Sequence, residues 1–257
     1  MHLPPSNLGN DAIGLFLDID GTLLEIRDTP SSVVADEELL DLLSRCHAVL
    51  DGALCLVSGR SIAEVDRIMS PAKYHVAGAH GVELRAADGR IQTVAVSSFP
   101  ADAEKALRAF AEGHEGLLLE RKQGGVSLHY RMAPTLERQC RDFVTSLMSK
   151  IGDNFRLIAG KMVFEISPAK SNKGDAIRRI MREAPYAGRK PVFIGDDVTD
   201  EDGFEVVNQF GGVSVRVGDI GDSAARFALP DVASVRPWLR SAIPDARADK
   251  QYRENET

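Results

Sequence analysis

Residues 13–24 read IGLFLDIDGTLL. An apolar run long enough for one buried strand ends in Asp18, skips one residue to Asp20, and breaks at Gly21 and Thr22. Two carboxylates at the C-terminal end of a buried strand need partners, because an unpaired buried charge is costly. A hard cation such as Mg²⁺, which prefers oxygen ligands, is the natural one. One carboxylate is then placed to attack phosphorus and its neighbour to move a proton. The plainer alternative is a strand followed by an Asx turn.

Outward from that stretch the same pattern recurs. Apolar strands are expected at 13–17, 53–57, 191–194 and 212–217, and helical patterns at 36–49, 61–70, 173–183 and 200–208. Apolar strands alternating with amphipathic helices predict a parallel sheet covered on both faces. Such open α/β sheets bind ligands beyond the C-terminal ends of their strands, where the polar residues of this chain collect.

The middle of the chain reads differently. Helices are expected at 101–113 and 134–150, with strands at 116–120, 124–130, 155–159 and 162–166 and a hairpin around Gln123–Gly125. The order αββαββ predicts an antiparallel sheet with two helices on one face. It forms a second domain over 99–169, inserted into a first made of 1–98 and 170–257. The polar stretch from Pro244 to Thr257 is expected to fray.

Composition narrows the function classes. The 257 residues are 44% hydrophobic and 27% charged, as in a soluble globular protein. No run approaches the about 18 apolar residues of a membrane span, and MHLPPSNLGNDA has no leader character. Cys46, Cys55 and Cys140 lack metal-ligand spacing and read as reduced thiols of a cytoplasmic protein. A net charge of −7 argues against nucleic-acid binding, and requires local basic groups if the substrate is an anion.

Three further segments carry candidate chemistry. In LVSGRS (56–61), the Ser58 hydroxyl and backbone N–H groups around Gly59 suit phosphate oxygens, though Ser-Gly is also a common turn. Arg60 is a substrate contact or a surface helix residue. In SNKGDAI (171–177), Lys173 opens a helix against its dipole. It suits orienting a nucleophilic carboxylate, with a solvated surface lysine as the alternative. In FIGDDVTDED (193–202), Asp196 completes a cation site with Asp18 and the Asp20 carbonyl. Asp197 and Asp200 orient waters and Lys173. Helix capping is assigned to Glu201 and Asp202.

Taken together, Asp-x-Asp-Gly-Thr, Ser-Gly-Arg, Lys and Gly-Asp-Asp in this order resemble the haloacid dehalogenase-like phosphatase superfamily. The resemblance implies a Rossmann-like parallel-sheet core with an inserted α/β cap of the C2 type. It also implies Mg²⁺ bound by Asp18, Asp20 and Asp196, with Asp18 as nucleophile, Asp20 as acid and base, and Lys173 as the phosphoryl-orienting cation.

AGAHGVELR (77–85), ERKQGGVSLHYR (120–131) and GKMVFEISP (160–168), with VSVRVG (213–218) and AARFALPDVASVRPWL (224–239), resemble the trehalose-6-phosphate phosphatase family. The resemblance implies hydrolysis of trehalose 6-phosphate as part of trehalose biosynthesis. Its substrate set is Ser58, Gly59, Arg60, His80, Glu120, Lys122, His129, Arg131, Lys161 and Glu165. Carboxylates, ammonium, imidazole and guanidinium on one sheet face suit a hydroxyl-rich sugar, and a solvated face with cross-strand ion pairs is the alternative. His80 and Glu83 line the substrate site or are structural, while His47, His75 and His114 are structural or surface residues. Ser167 and Glu25 depart from the family pattern. A related sugar-phosphate phosphatase (sucrose 6-phosphate, a glycosyl-glycerate phosphate), a phosphomutase and a silent sugar-phosphate binding protein stand as rivals.

Overall fold

The computed structural model describes residues 2–8, 12–27, 29, 32–94, 98–169, 171–219 and 221–243. The expected tail from 244 lies outside them, as do positions 95–97 and 170 beside the expected domain boundaries.

The chain starts its larger sheet with β1 (Ile13–Leu17), buried at every position. Helix α1 (Glu37–Val49) follows, with Asp36 accepting from the Leu39 N–H as its N-cap. Its buried Leu39, Leu42, Leu43 and Cys46 fall at helical spacing and form the stripe that covers the sheet. Next come β2 (Leu54–Val57), α2 (Ile62–Ile68) behind a Ser61/Glu64 capping box, β3 (His75–Gly78), β4 (Glu83–Arg85) and β5 (Ile91–Thr93).

An α+β segment interrupts this sheet: α3 (Ala101–Glu112), β6 (Leu118–Lys122), β7 (Gly125–His129), α4 (Glu137–Ile151), β8 (Phe155–Gly160) and β9 (Val163–Pro168). The larger sheet then resumes with α5 (Lys173–Ile180), β10 (Lys190–Gly195), α6 (Glu201–Gln209), β11 (Val213–Val217), β12 (Phe227–Leu229) and α7 (Val232–Ala242).

The eight-stranded sheet runs β12-β11-β10-β1-β2-β3-β4-β5, parallel from β12 to β3 and antiparallel at β4 and β5. Strand order reverses at β1, between β10 and β2, which puts Asp18 at the topological switch point where such sheets bind ligands. The antiparallel sheet β6-β7-β9-β8 has its own core. Val126, Leu128, Phe164 and Ile166 face Leu107, Cys140 and Val144 of α3 and α4. Alternation along the strands then turns Ser127, His129 and Glu165 to the other face.

Several expectations are corrected. β6 begins at Leu118, two residues later than expected, because Gly116 at φ +85 belongs to the preceding turn. Lys122 pairs with Gly125, so the hairpin turn is Gln123–Gly124. β3, β4, β5 and β12 add to the four expected strands and α7 to the expected helices, and the antiparallel edge means that the sheet is mixed.

Candidate active site

Every expected site residue except Asp200 lines one open cavity of about 180 Å³ between the two sheets. The larger sheet supplies strand-end residues and the smaller one its polar face.

Asp18 leaves β1 almost wholly buried, and Lys173 at the first position of α5 reaches it: Nζ donates to Asp18 Oδ1 at 2.7 Å and to Asp200 Oδ1 at 2.6 Å. The surface alternative for Lys173 is therefore excluded. Burial pushes the Asp18 carboxyl well above the usual carboxylate range, with Lys173 pulling against it. Burial also opposes the charge on Lys173, but Asp18 and Asp200 overcome it and raise its affinity for the proton.

Asp200 is the hidden support of this end. Its Oδ2 accepts from the backbone N–H groups of Asp196 (3.0 Å) and Asp197 (2.9 Å), while Oδ1 takes Lys173. Asp197 and Asp200 form a reciprocal capping box around the 3-10 turn that leads into α6. The capping role thus falls to these two acids. Glu201 instead binds Arg216, Ser223 and the Ala224 N–H, and Asp202 pairs with Arg156. Lys173 is held by Asp18 and Asp200 and not by Asp197, whose carboxylate serves the turn.

Asp18, Asp196 and Asp200 bring carboxylate oxygens within 4.8 Å of one another. This buried all-oxygen set, with Asp18 and Asp196 at the cavity wall and Asp200 behind them, fits a hard divalent cation. Burial and the nearby Asp200 charge push the Asp196 carboxyl up to about 6, against Lys161. Thr22 Oγ1 donates to Asp196 Oδ1 at 3.3 Å. Gly21 lies at φ +85, and a Cβ there would stand 2.1 Å from Asp196 Oδ2, so the backbone must pass bare at this point.

Asp20 keeps its carboxylate out of the cluster. Arg60 Nε and Nη2 donate to its two oxygens at 2.6 Å each, a bidentate pair. Arg60 is buried, which removes the surface-helix reading and gives it a partner that sequence spacing could not reveal. Ser58 is buried beside it, and its Oγ accepts from the Arg60 N–H at 3.1 Å. Gly59 runs against the His80 ring, where a Cβ would stand 2.5 Å from Nε2.

From the smaller sheet, Glu120 accepts from Lys122 (2.7 Å) and pairs with His129 (2.8 Å). Burial resists ionisation of Glu120, yet the His129 hydrogen bond and the Lys122 ammonium bring its carboxyl down to about 2. Glu165 lies 3.0 Å from His80 Nε2 and accepts from Ser127 Oγ at 3.3 Å. Its carboxyl is likewise lowered: burial opposes this, and His80 and Lys122 outweigh it. Lys122 Nζ reaches the Gly59 carbonyl at 3.4 Å, and Lys161 Nζ lies 2.5 Å from Asp196 Oδ2. Arg131 donates to the Lys161 carbonyl at 2.9 Å.

Glu83 does not line the cavity; it accepts from the Ile62 N–H at the start of α2. His75 pairs with the Tyr186 hydroxyl and His114 with the Phe110 carbonyl, both structural. Ile26, Arg27, Val33, Val163 and Thr199 also line the cavity. Only Val163 was legible, because it alternates with Glu165 on β9.

A family model for trehalose-phosphatase matches residues 16–233. The chain belongs to the trehalose-phosphatase family.

A probable trehalose-phosphate phosphatase of Sinorhizobium fredii is 39% identical over 227 residues, spanning 88% of this chain and 86% of that protein. The trehalose-6-phosphate phosphatase of Escherichia coli is 39% identical over 241 residues, spanning 93% and 89%. A crystal structure of a trehalose-6-phosphate phosphatase related protein, 26% identical, covers 95% of this chain and 100% of that one with a TM-score of 0.70. The family is one of phosphoric monoester hydrolases with the haloacid dehalogenase-like fold. Among the described residues, no helix is long and apolar enough to cross a membrane.

Proposed function

We propose that this chain hydrolyses trehalose 6-phosphate to trehalose and phosphate. The observation that carries the reading is the Asp18–Lys173 pair, buried at the end of β1 and opening on a cavity walled opposite by Glu120, Lys122, His129 and Glu165. The names of relatives matched over most of their length support the same substrate.

The chemistry runs through the chain's own groups. Lys173 holds Asp18 Oδ1, and the remaining oxygen attacks phosphorus in line. Asp20 gives its proton to the departing sugar oxygen as the P–O bond breaks. Asp20 then takes a proton from the water that attacks the aspartyl phosphate, so phosphate leaves and both carboxylates return to their starting state. The Ser58 hydroxyl, buried at the strand end, and Lys173 receive phosphoryl oxygens. Asp18, Asp196 and the Asp20 backbone carbonyl would hold Mg²⁺, which when bound neutralises phosphoryl charge.

Residues 99–169 act as a cap that selects the sugar and excludes water, over a core made of 1–98 and 170–257. Six basic residues in the cavity lining face six acidic ones, a local balance that suits an anion despite the net charge of −7. Three unpaired buried cysteines support a reducing, cytoplasmic setting.

The deciding experiment is phosphate release from trehalose 6-phosphate, sucrose 6-phosphate and glucose 6-phosphate, with and without Mg²⁺. Release from the trehalose ester alone, dependent on Mg²⁺, is expected. Release from another ester instead would discard the sugar assignment and keep the mechanism, and isomerised product would point to a mutase. Binding without release would leave a silent sugar-phosphate binding protein.

A further inference from the structure

We infer that Arg60 is a positioning residue for the proton-transferring Asp20, not a ligand of the sugar phosphate, and that Lys122 ties this positioning to the smaller sheet. The inference rests on the proposed role of Asp20. The side edge of the guanidinium is committed to Asp20, and its far end sits beside the Glu64 carboxylate. Nε and Nη2 hold the two Asp20 oxygens at 2.6 Å each, and Nη1 lies 3.9 Å from Glu64. The Nε–Nη2 edge engaged in this way cannot also grip a phosphate.

The backbone beneath the fork is fixed on both sides. Arg60 N–H donates to Ser58 Oγ, the Arg60 carbonyl accepts from Ala79 N–H at 2.7 Å, and the Ser58 carbonyl accepts from His80 N–H at 3.0 Å. Arg60 therefore presents a rigid clamp, while the Asp20 side chain remains about one-third exposed toward the cavity. Lys122, which Glu120 holds, reaches the carbonyl of Gly59, the residue just before Arg60. The sugar-facing sheet thus touches the very loop that aims the acid.

The experiment compares kcat/KM across a series of substituted phenyl phosphates, which share a shape and differ in leaving-group basicity. Protonation by Asp20 matters more as the leaving group becomes more basic. In Arg60→Ala and in Arg60→Lys, kcat/KM is expected to fall more steeply with leaving-group basicity than in wild type, approaching the slope of Asp20→Asn. In the Asp20→Asn background, Arg60→Ala should add less than about 3-fold. For the sugar ester the loss should appear in kcat, by about 100-fold, with KM little moved. An unchanged slope, an additive double variant, or a loss confined to KM would overturn the inference. Arg60→Lys keeps the charge and decides the matter if Arg60→Ala fails to fold by circular dichroism. If wild type hydrolyses the phenyl esters and not trehalose 6-phosphate, the sugar assignment fails while the slope still reports on Arg60.

Discussion

Lys173 Nζ lies 2.7 Å from Asp18 Oδ1, and both side chains are shut away from bulk water. The pair spans 155 residues of sequence and joins the start of α5 to the end of β1. Removing one partner leaves the other charge buried. Lys173→Met should destabilise the protein by about 3–5 kcal/mol and abolish turnover. Asp18→Asn should abolish turnover with a far smaller loss, because Lys173 keeps Asp200. Denaturant unfolding beside phosphate release checks both, and substantial activity in Asp18→Asn would remove it as nucleophile.

Glu120 organises Lys122 and His129 on the cavity-lining face of the smaller sheet. Glu120→Ala and Lys122→Ala should each raise KM for the disaccharide ester by about 10-fold or more, as expected when a polar array loses a partner to its ligand's hydroxyls. KM for a small aryl phosphate should rise less. Equal effects on the two substrates would contradict a sugar-reading face.

The same carboxylate predicts a pH effect. Its folded value of about 2 lies below the ordinary 4.5, so between these values the native state binds fewer protons than the unfolded chain. The stability it contributes is present above pH 4.5 and lost as pH falls toward 2. Glu120→Gln should flatten that acid limb when unfolding midpoints are followed against pH. Parallel wild-type and variant curves would count against the Glu120–His129–Lys122 cluster.

Gly21 predicts a local backbone effect. An alanine there combines a left-handed φ with a collision at Asp196, so Gly21→Ala should cost at least about 1–2 kcal/mol and lower activity. An unfolding midpoint equal to wild type would show that the turn relaxes freely.

Mg²⁺ should raise the melting temperature of the wild-type chain, because a ligand that binds only the folded state stabilises it. Asp196→Asn should lose most of that rise, and chelation should stop phosphate release. An equal rise in the variant would place the cation elsewhere.

The strands that build the switch point were legible because burial on both faces leaves them continuously apolar. β5 was not, since Ile91, Gln92 and Thr93 are all exposed on a short edge strand and carry no period of burial. Asp18, Asp196 and Lys173 could be picked out because each stands directly behind a strand or at the first position of a helix. The Arg60–Asp20 pair joins residues 40 apart through a geometry that only the fold creates. Capping at the 193–202 stretch was misassigned because five of its residues are acids, and the choice of Asp197 and Asp200 depends on the 3-10 turn.

The balance of charge around the cavity has a kinetic consequence. A dianionic sugar phosphate approaching from afar meets the field of a protein with net charge −7, and meets Lys122, Lys161 and Lys173 only at short range. Salt screens the distant repulsion over a Debye length of about 8 Å at physiological ionic strength, while the buried Lys173 and the half-buried Lys122 feel it far less. Moderate salt should therefore speed substrate capture, the reverse of the usual behaviour of electrostatically steered enzymes.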